Sequence, residues 1–183
     1  ESLLGDEVVT HAKFQVVNSP IGDFSFGLIT LDNGFDHTKP NTFGPKGLLE
    51  LDAALDQAAA ADIKALAITG KPFIFAVGAD LTGVPKITAR EQALAIGRLG
   101  HRVMSRLTDF GIPTFALING AAMGGGLELG LHCNYRTISS GAAAIALPEC
   151  FLGLVPGWGG AFLLPNLIGP EKALQVIVTN PLA

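Results

Sequence analysis

The chain has 183 residues, 49% hydrophobic and 15% charged, with 12 Lys and Arg against 16 Asp and Glu for a net charge of −4. That balance excludes a disordered solvating segment, and it offers no basic field to neutralise the phosphates of a nucleic acid. The length suits one domain, which buries about 70% of the surface its unfolded chain exposes.

The opening Glu1-Ser2-Leu3-Leu4-Gly5-Asp6 has no basic stretch followed by an apolar one, so no secretory signal is read there. It also lacks an initiator Met, which points to a piece of a longer gene product. Residues 26–31 read as a strand, and the Asn-, Gly-, Pro- and Thr-rich stretch 32–47 as a loop. Leu48, Leu51, Leu55 and Ala58 recur at helical spacing up to Ala61. Lys64 to Thr69, closed by Gly70, is a second strand, and Phe73 to Val77 a third apolar run leading into Gly78-Ala79-Asp80. Thr88, with Glu91 three positions on, predicts a capping box opening a long helix with Leu94, Leu99, Val103 and Leu107 on one face.

Residues 113–118 form another strand, followed by Asn119 to Met123 and then Gly124-Gly125-Gly126-Leu127-Glu128-Leu129. Strands are read at 134–139 and, briefly, at 143–147, with a turn-rich loop over 153–160 and a last helix opened by Pro170. Alternation of strands and helices on this scale predicts an α/β fold with right-handed crossovers. No internal repeat or linker stands out, and no apolar run is long enough to span a bilayer. The expected setting is cytoplasmic. Twenty-three glycines and few charges predict subunit contacts and hence an oligomer. The ending Asn180-Pro181-Leu182-Ala183, just after a helix, is read as a truncation.

Three segments could carry chemistry. In 119–128 a strand feeds a glycine-rich turn and a helix start, where free N–H groups and the helix dipole favour negative charge. Gly125 and Glu128 share a helix face, so an N–H donor and a carboxylate would meet one space. Equally, the glycines could serve close packing while Glu128 caps its own helix. Gly124-x-Gly126-x-x-x-Gly130 imitates a dinucleotide fingerprint, but its glycines do not follow the strand directly, and Glu149 opens a loop rather than ending a strand. In Phe75-Ala76-Val77-Gly78-Ala79-Asp80-Leu81 an apolar strand ends at a glycine whose neighbour could offer a second N–H donor. Asp80 by itself fits a turn cap. In Leu147-Pro148-Glu149 a carboxylate sits in apolar company, which raises its pKa, or else it is a surface loop residue. Two such carboxylates in one pocket would titrate as a pair and suit the addition or removal of water.

His11, His37, His101 and His132 form no metal-ligating or triad spacing, and His132 reads as packing. Cys133 and Cys150 lack metal-ligand spacing and read as small buried hydrophobes in a reducing compartment. No metal is expected. Neither Gly-x-Ser-x-Gly nor HExxH occurs, so Ser hydrolase and zinc peptidase chemistry have no support.

Taken in order, Phe75 to Leu81, Asn119 to Leu129 and Pro148 to Gly160 resemble the crotonase (enoyl-CoA hydratase/isomerase) superfamily. The resemblance implies a crotonase-like fold, a superhelix of repeated ββα turns over 1–183, assembled as trimers or dimers of trimers and continuing past residue 183. By that resemblance the N–H groups of Ala79 and Gly125 would form an oxyanion hole for an acyl-CoA thioester. Val77, Asp80 and Leu81 would line the CoA, and Gly157 would lie beside the second carboxylate. Glu128 would act as base toward water and Glu149 as proton donor to the α-carbon. Coenzyme A would enter only as part of the substrate, with no separate cofactor. Isomerases of the superfamily typically keep only the second glutamate, so the presence of both favours hydration. An isomerase, or a non-catalytic acyl-CoA-binding module, is the alternative. Thr38-Lys39-Pro40-Asn41-Thr42 and Trp158-Gly159-Gly160 look like multifunctional fatty-acid-oxidation proteins.

Overall fold

A computed structural model describes residues 7–179. The expectations drawn from 1–6 and 180–183 lie outside the described residues. Strand β1 (His11–Asn18) pairs antiparallel with β2 (Ser25–Asp32), from His11 opposite Asp32 to Asn18 opposite Ser25. The sheet continues in parallel through β3 (Leu66–Gly70), β5 (Thr114–Ile118) and β7 (Tyr135–Ile138), in the order β1-β2-β3-β5-β7. A second, parallel sheet holds β4 (Phe73–Val77), β6 (Gly120–Met123) and β8 (Ile145–Ala146), in that order.

The two sheets are built by one repeating move. Each first strand (β3, β5, β7) joins the large sheet, each second strand (β4, β6, β8) the small one, and a helix returns the chain. The helices of the three turns are α2 (Arg90–Ser105), α3 (Gly125–His132) and α4 (Gly160–Ile168). The expected ββα superhelix is therefore present. Successive corners are tied by Asn119: its Oδ1 accepts from Gly70 N–H at 3.0 Å, and its Nδ2 donates to the carbonyls of Gly70 and Lys71 at 3.1 and 2.8 Å.

Helix α1 (Pro45–Ala60) packs against β1 and α2 and buries Leu48, Leu51, Ala54, Leu55 and Ala58, the periodic set read from the sequence plus Ala54. Its N-cap, Gly44, has no side chain to offer. Glu7 supplies the missing acceptor from across the fold, taking the N–H groups of Lys46 at 2.9 Å and Gly47 at 2.8 Å. The 32–47 loop is held by Lys71, 5% exposed, whose ammonium donates to Asn33 Oδ1 and to the carbonyls of Phe35, Asp36 and Lys39. Helix α5 (Pro170–Thr179) opens at Pro170 as expected.

Three readings need correction. The cap of α2 is not Thr88 with Glu91: the N-cap is Ala89, and Gln92 Oε1 accepts from the N–H groups of Thr88 and Ala89 at 2.9 and 3.2 Å. Of its predicted face, Val103 is buried, Leu107 is buried beyond the helix end, and Leu94 is exposed. Strand β1 and helix α4 were not expected at all.

Candidate active site

Each turn of the superhelix delivers one component to the same end of the small sheet. Beyond β4, Gly78 takes φ +66°, a conformation that glycine adopts without a steric penalty. Phe43 then bridges Ala79 in parallel fashion: Phe43 N–H donates to the Gly78 carbonyl, and Asp80 N–H donates to the Phe43 carbonyl, both at 3.0 Å. In such a bridge the bonds fall on the flanking residues, so Ala79's own N–H faces the other way, where Ala79 lines a cavity of about 440 Å³. Beyond β6, Gly124 turns the chain at φ +51° into α3, whose first residue, Gly125, has an N–H with no intrahelical acceptor and lines the same cavity. Beyond β8, a 3₁₀ turn over Pro148–Leu152 carries Glu149.

Three consecutive glycines are each required, Gly124 first by its φ of +51° and Gly125 and Gly126 by what a β-carbon would strike. A β-carbon at Gly124 would lie 2.8 Å from Glu149 Oε1, one at Gly125 2.4 Å from the Trp158 ring, and one at Gly126 1.9 Å from the Ala76 carbonyl oxygen. Trp158, 7% exposed, fills the gap between α3 and Gly100 of α2 and forms part of the cavity wall.

Glu128 is 2% exposed. Its Oε1 accepts from the N–H groups of Trp158 and Gly160, both at 2.8 Å, and so does not cap its own helix. Burial pushes its pKa up to about 7; the bond from Gly160 opposes this, the charge of Glu149 adds to it, and the bond from Trp158 opposes it again. Burial also raises the pKa of Glu149, whose Oε2 is buried without a hydrogen-bond partner among the described residues. Cys133 is inert by the same physics, its thiol pushed up to about 12 by burial.

Of the residues singled out from the sequence, Val77, Ala79, Leu81, Gly125, Glu128, Glu149 and Gly157 all line this one cavity. Asp80 does not: it lies on the adjoining groove with Thr38, Lys39 and Pro40, and its Oδ1 caps the turn by accepting from Thr82 N–H at 3.0 Å. Sequence reasoning missed the backbone donors of Trp158 and Gly160, because the first is a loop N–H without a side-chain signature and the second opens α4, a helix the sequence did not announce. It also missed Ala93, Ile96 and Gly97, which α2 contributes to the wall.

The model of the family described as enoyl-CoA hydratase/isomerase matches residues 25–181. The chain belongs to this family. Among curated proteins it is similar to the fatty acid oxidation complex subunit alpha of Pseudomonas syringae pv. tomato, 40% identical over 157 residues, or 84% of this chain and 22% of that protein. The same-named subunit of Pseudomonas aeruginosa is 37% identical over the same share of each. The chain thus spans about a fifth of the length of these relatives. Among solved structures, DspI of Pseudomonas aeruginosa superposes with a TM-score of 0.78 at 34% identity, over 97% of this chain and 69% of that one. An enoyl-CoA hydratase from Bacillus anthracis gives 0.78 at 30% identity, over 91% and 62%. The crotonase-like α/β fold expected from the sequence is the fold of the chain. Among the described residues, no helix is long and apolar enough to cross a membrane.

Proposed function

We propose that this region hydrates 2-enoyl-CoA thioesters at the 2,3 double bond. The observation that carries the reading is a pair of carboxylates with raised pKa, Glu128 and Glu149, lining one apolar cavity together with two outward N–H groups. In this reading Ala79 and Gly125 donate to the thioester oxygen, stabilising the negative charge that develops there when the β-carbon is attacked. Ionised Glu128, held by two donors, takes a proton from water as the water oxygen bonds to the β-carbon. Protonated Glu149 gives its proton to the α-carbon as the enolate collapses, and the proton on Glu128 returns to Glu149 through the next water. Atoms balance: one water is consumed and one hydroxyacyl thioester is formed. Val77, Asp80, Leu81 and Gly157 line the CoA and the reacting end of the acyl chain.

The similarity to fatty acid oxidation complex subunits supports placing this step in β-oxidation, as the hydratase region of a longer polypeptide whose hydroxyacyl product is oxidised next. Exposed Phe162, Leu174 and Val178 on α4 and α5 support a homo-oligomer. One observation favours a second reading: Glu149 Oε2 has no hydrogen-bond partner among the described residues while Glu128 is tied down, as suits an isomerase that shuttles protons through Glu149 alone.

Loss of the conjugated absorbance of crotonyl-CoA, followed with the intact native polypeptide, tests the proposal. Glu128→Gln and Glu149→Gln are each expected to lower kcat by at least about a thousandfold. Hydration that survives Glu128→Gln would remove Glu128 from the reaction, and double-bond migration that survives it while the unsubstituted protein shows no hydration would replace the hydratase with the isomerase.

A further inference from the structure

Glu128 must keep its place while protons move, yet what holds it is the backbone of a loop. That backbone is itself held from the same face of α3, one turn further on. His132 lies one helical turn on from Glu128 and is 5% exposed. Its Nε2 is 2.7 Å from the Trp158 carbonyl oxygen, and its Nδ1 is 3.0 Å from Thr108 Oγ1. A carbonyl only accepts, so Nε2 carries the hydrogen, and Nδ1 accepts from the Thr108 hydroxyl. Burial lowers the His132 pKa, the bond to Trp158 opposes this, and His101 adds to the lowering, so the imidazole is neutral and its tautomer defined. Trp158 therefore donates its N–H to Glu128 and accepts at its C=O from His132. Next to it Gly159, at φ +128°, brings the chain so close that a β-carbon would lie 2.5 Å from His132 Nε2.

We propose that His132 is a positioning residue for Glu128: by anchoring the Trp158 carbonyl it fixes the two N–H groups that hold the carboxylate in place. The assignment rests on the hydratase reading for its catalytic meaning, but its geometry can be tested without substrate. The titratable and charged groups facing this assembly are Glu149 from the 3₁₀ turn, Arg136 from β7, whose guanidinium donates to the carbonyls of Gly130, Leu131 and Cys133, and His101 from α2, edge-on to His132 with ring centroids 6.1 Å apart. Strands β4 and β6, the 156–159 loop and α4 contribute none.

Three substitutions separate anchoring from packing. Gln places an amide N–H near the position of Nε2, Asn places its amide near Nδ1, and Ala does neither. Glu128 is followed in the intact native polypeptide by pH-difference infrared spectroscopy, as the carboxyl band that Glu128→Gln removes. With the anchor lost, the donors loosen and the anion loses stabilisation. In His132→Ala and His132→Asn the band is expected to titrate at least about half a pH unit higher. Their kcat near pH 7 is expected to fall about tenfold, with KM within about twofold. His132→Gln is expected to restore both. An unchanged Glu128 titration in His132→Asn, or equal behaviour of the Gln and Asn variants, overturns the inference, and this pair suffices if the Ala variant does not fold. Absence of crotonyl-CoA turnover in the unsubstituted protein would sink the hydratase reading, whereas the infrared comparison would still decide the role of His132.

Discussion

Glu128 holds its proton up to about 7 in the folded chain, against 4.5 for an ordinary glutamate, and this difference acts on stability as well as on chemistry. Between those two values the folded chain binds more protons than the unfolded one, so the contribution of this group falls as pH rises through the window. The loss levels off above about 7, at roughly 3 kcal/mol. Glu128→Gln removes the charge and keeps an oxygen to accept from Trp158 and Gly160. The variant is therefore expected to melt at a higher temperature than the unsubstituted protein at about pH 8, with the gap narrowing towards about pH 5. Thermal denaturation at both values checks this, and a gap independent of pH would contradict it. On the hydratase reading, stability is given up here for a carboxylate able to exchange protons near neutrality.

Helices α1 and α2 each depend on one residue out of the ordinary. The N-terminus of α1 is capped by Glu7, 39 positions before Lys46 in the chain, so Glu7→Ala is expected to lower stability by about 1 kcal/mol in denaturant titration, as loss of a cap does. On α2, Gly97 lines the cavity, and a β-carbon there would meet nothing within 4 Å. A glycine inside a helix costs about 1 kcal/mol relative to alanine. With neither packing nor a positive φ to require it, Gly97 is explained by the space it leaves. Gly97→Leu is expected to lower kcat/KM for a long-chain enoyl-CoA at least about tenfold while changing that for crotonyl-CoA less than about threefold. Equal losses on both substrates would place the acyl chain elsewhere. The elements hidden from sequence reading were hidden for physical reasons. Strand β1 is an edge strand without a fully buried residue, and exposed Val16 beside half-buried Val17 breaks the alternation that Ala12 and Phe14 begin. Helix α4 opens on Gly159-Gly160 and contains Pro165, all residues that argue against a helix when read locally. The carboxylates and the glycine turn were readable because their signals are local, whereas the donors that hold Glu128 lie 30 residues or more away.

At the scale of the molecule, three ββα turns share geometry without sharing residues, which is why no repeat is visible in the sequence. Parallel pairing of like strands stacks the turns, and the ends of β4, β6 and β8 converge on one cavity. An N–H donor comes from the first turn, a second donor with Glu128 from the next, and Glu149 from the last. The turn at Gly124, Gly125 and Gly126 has a counterpart in the gene. Every codon for glycine begins with two guanines, and a single-base change at either one that yields another amino acid adds at least a β-carbon. At these three positions that carbon would strike a carboxylate, an indole and a carbonyl in turn. Across this stretch of the coding strand only the third base of each codon is free to drift.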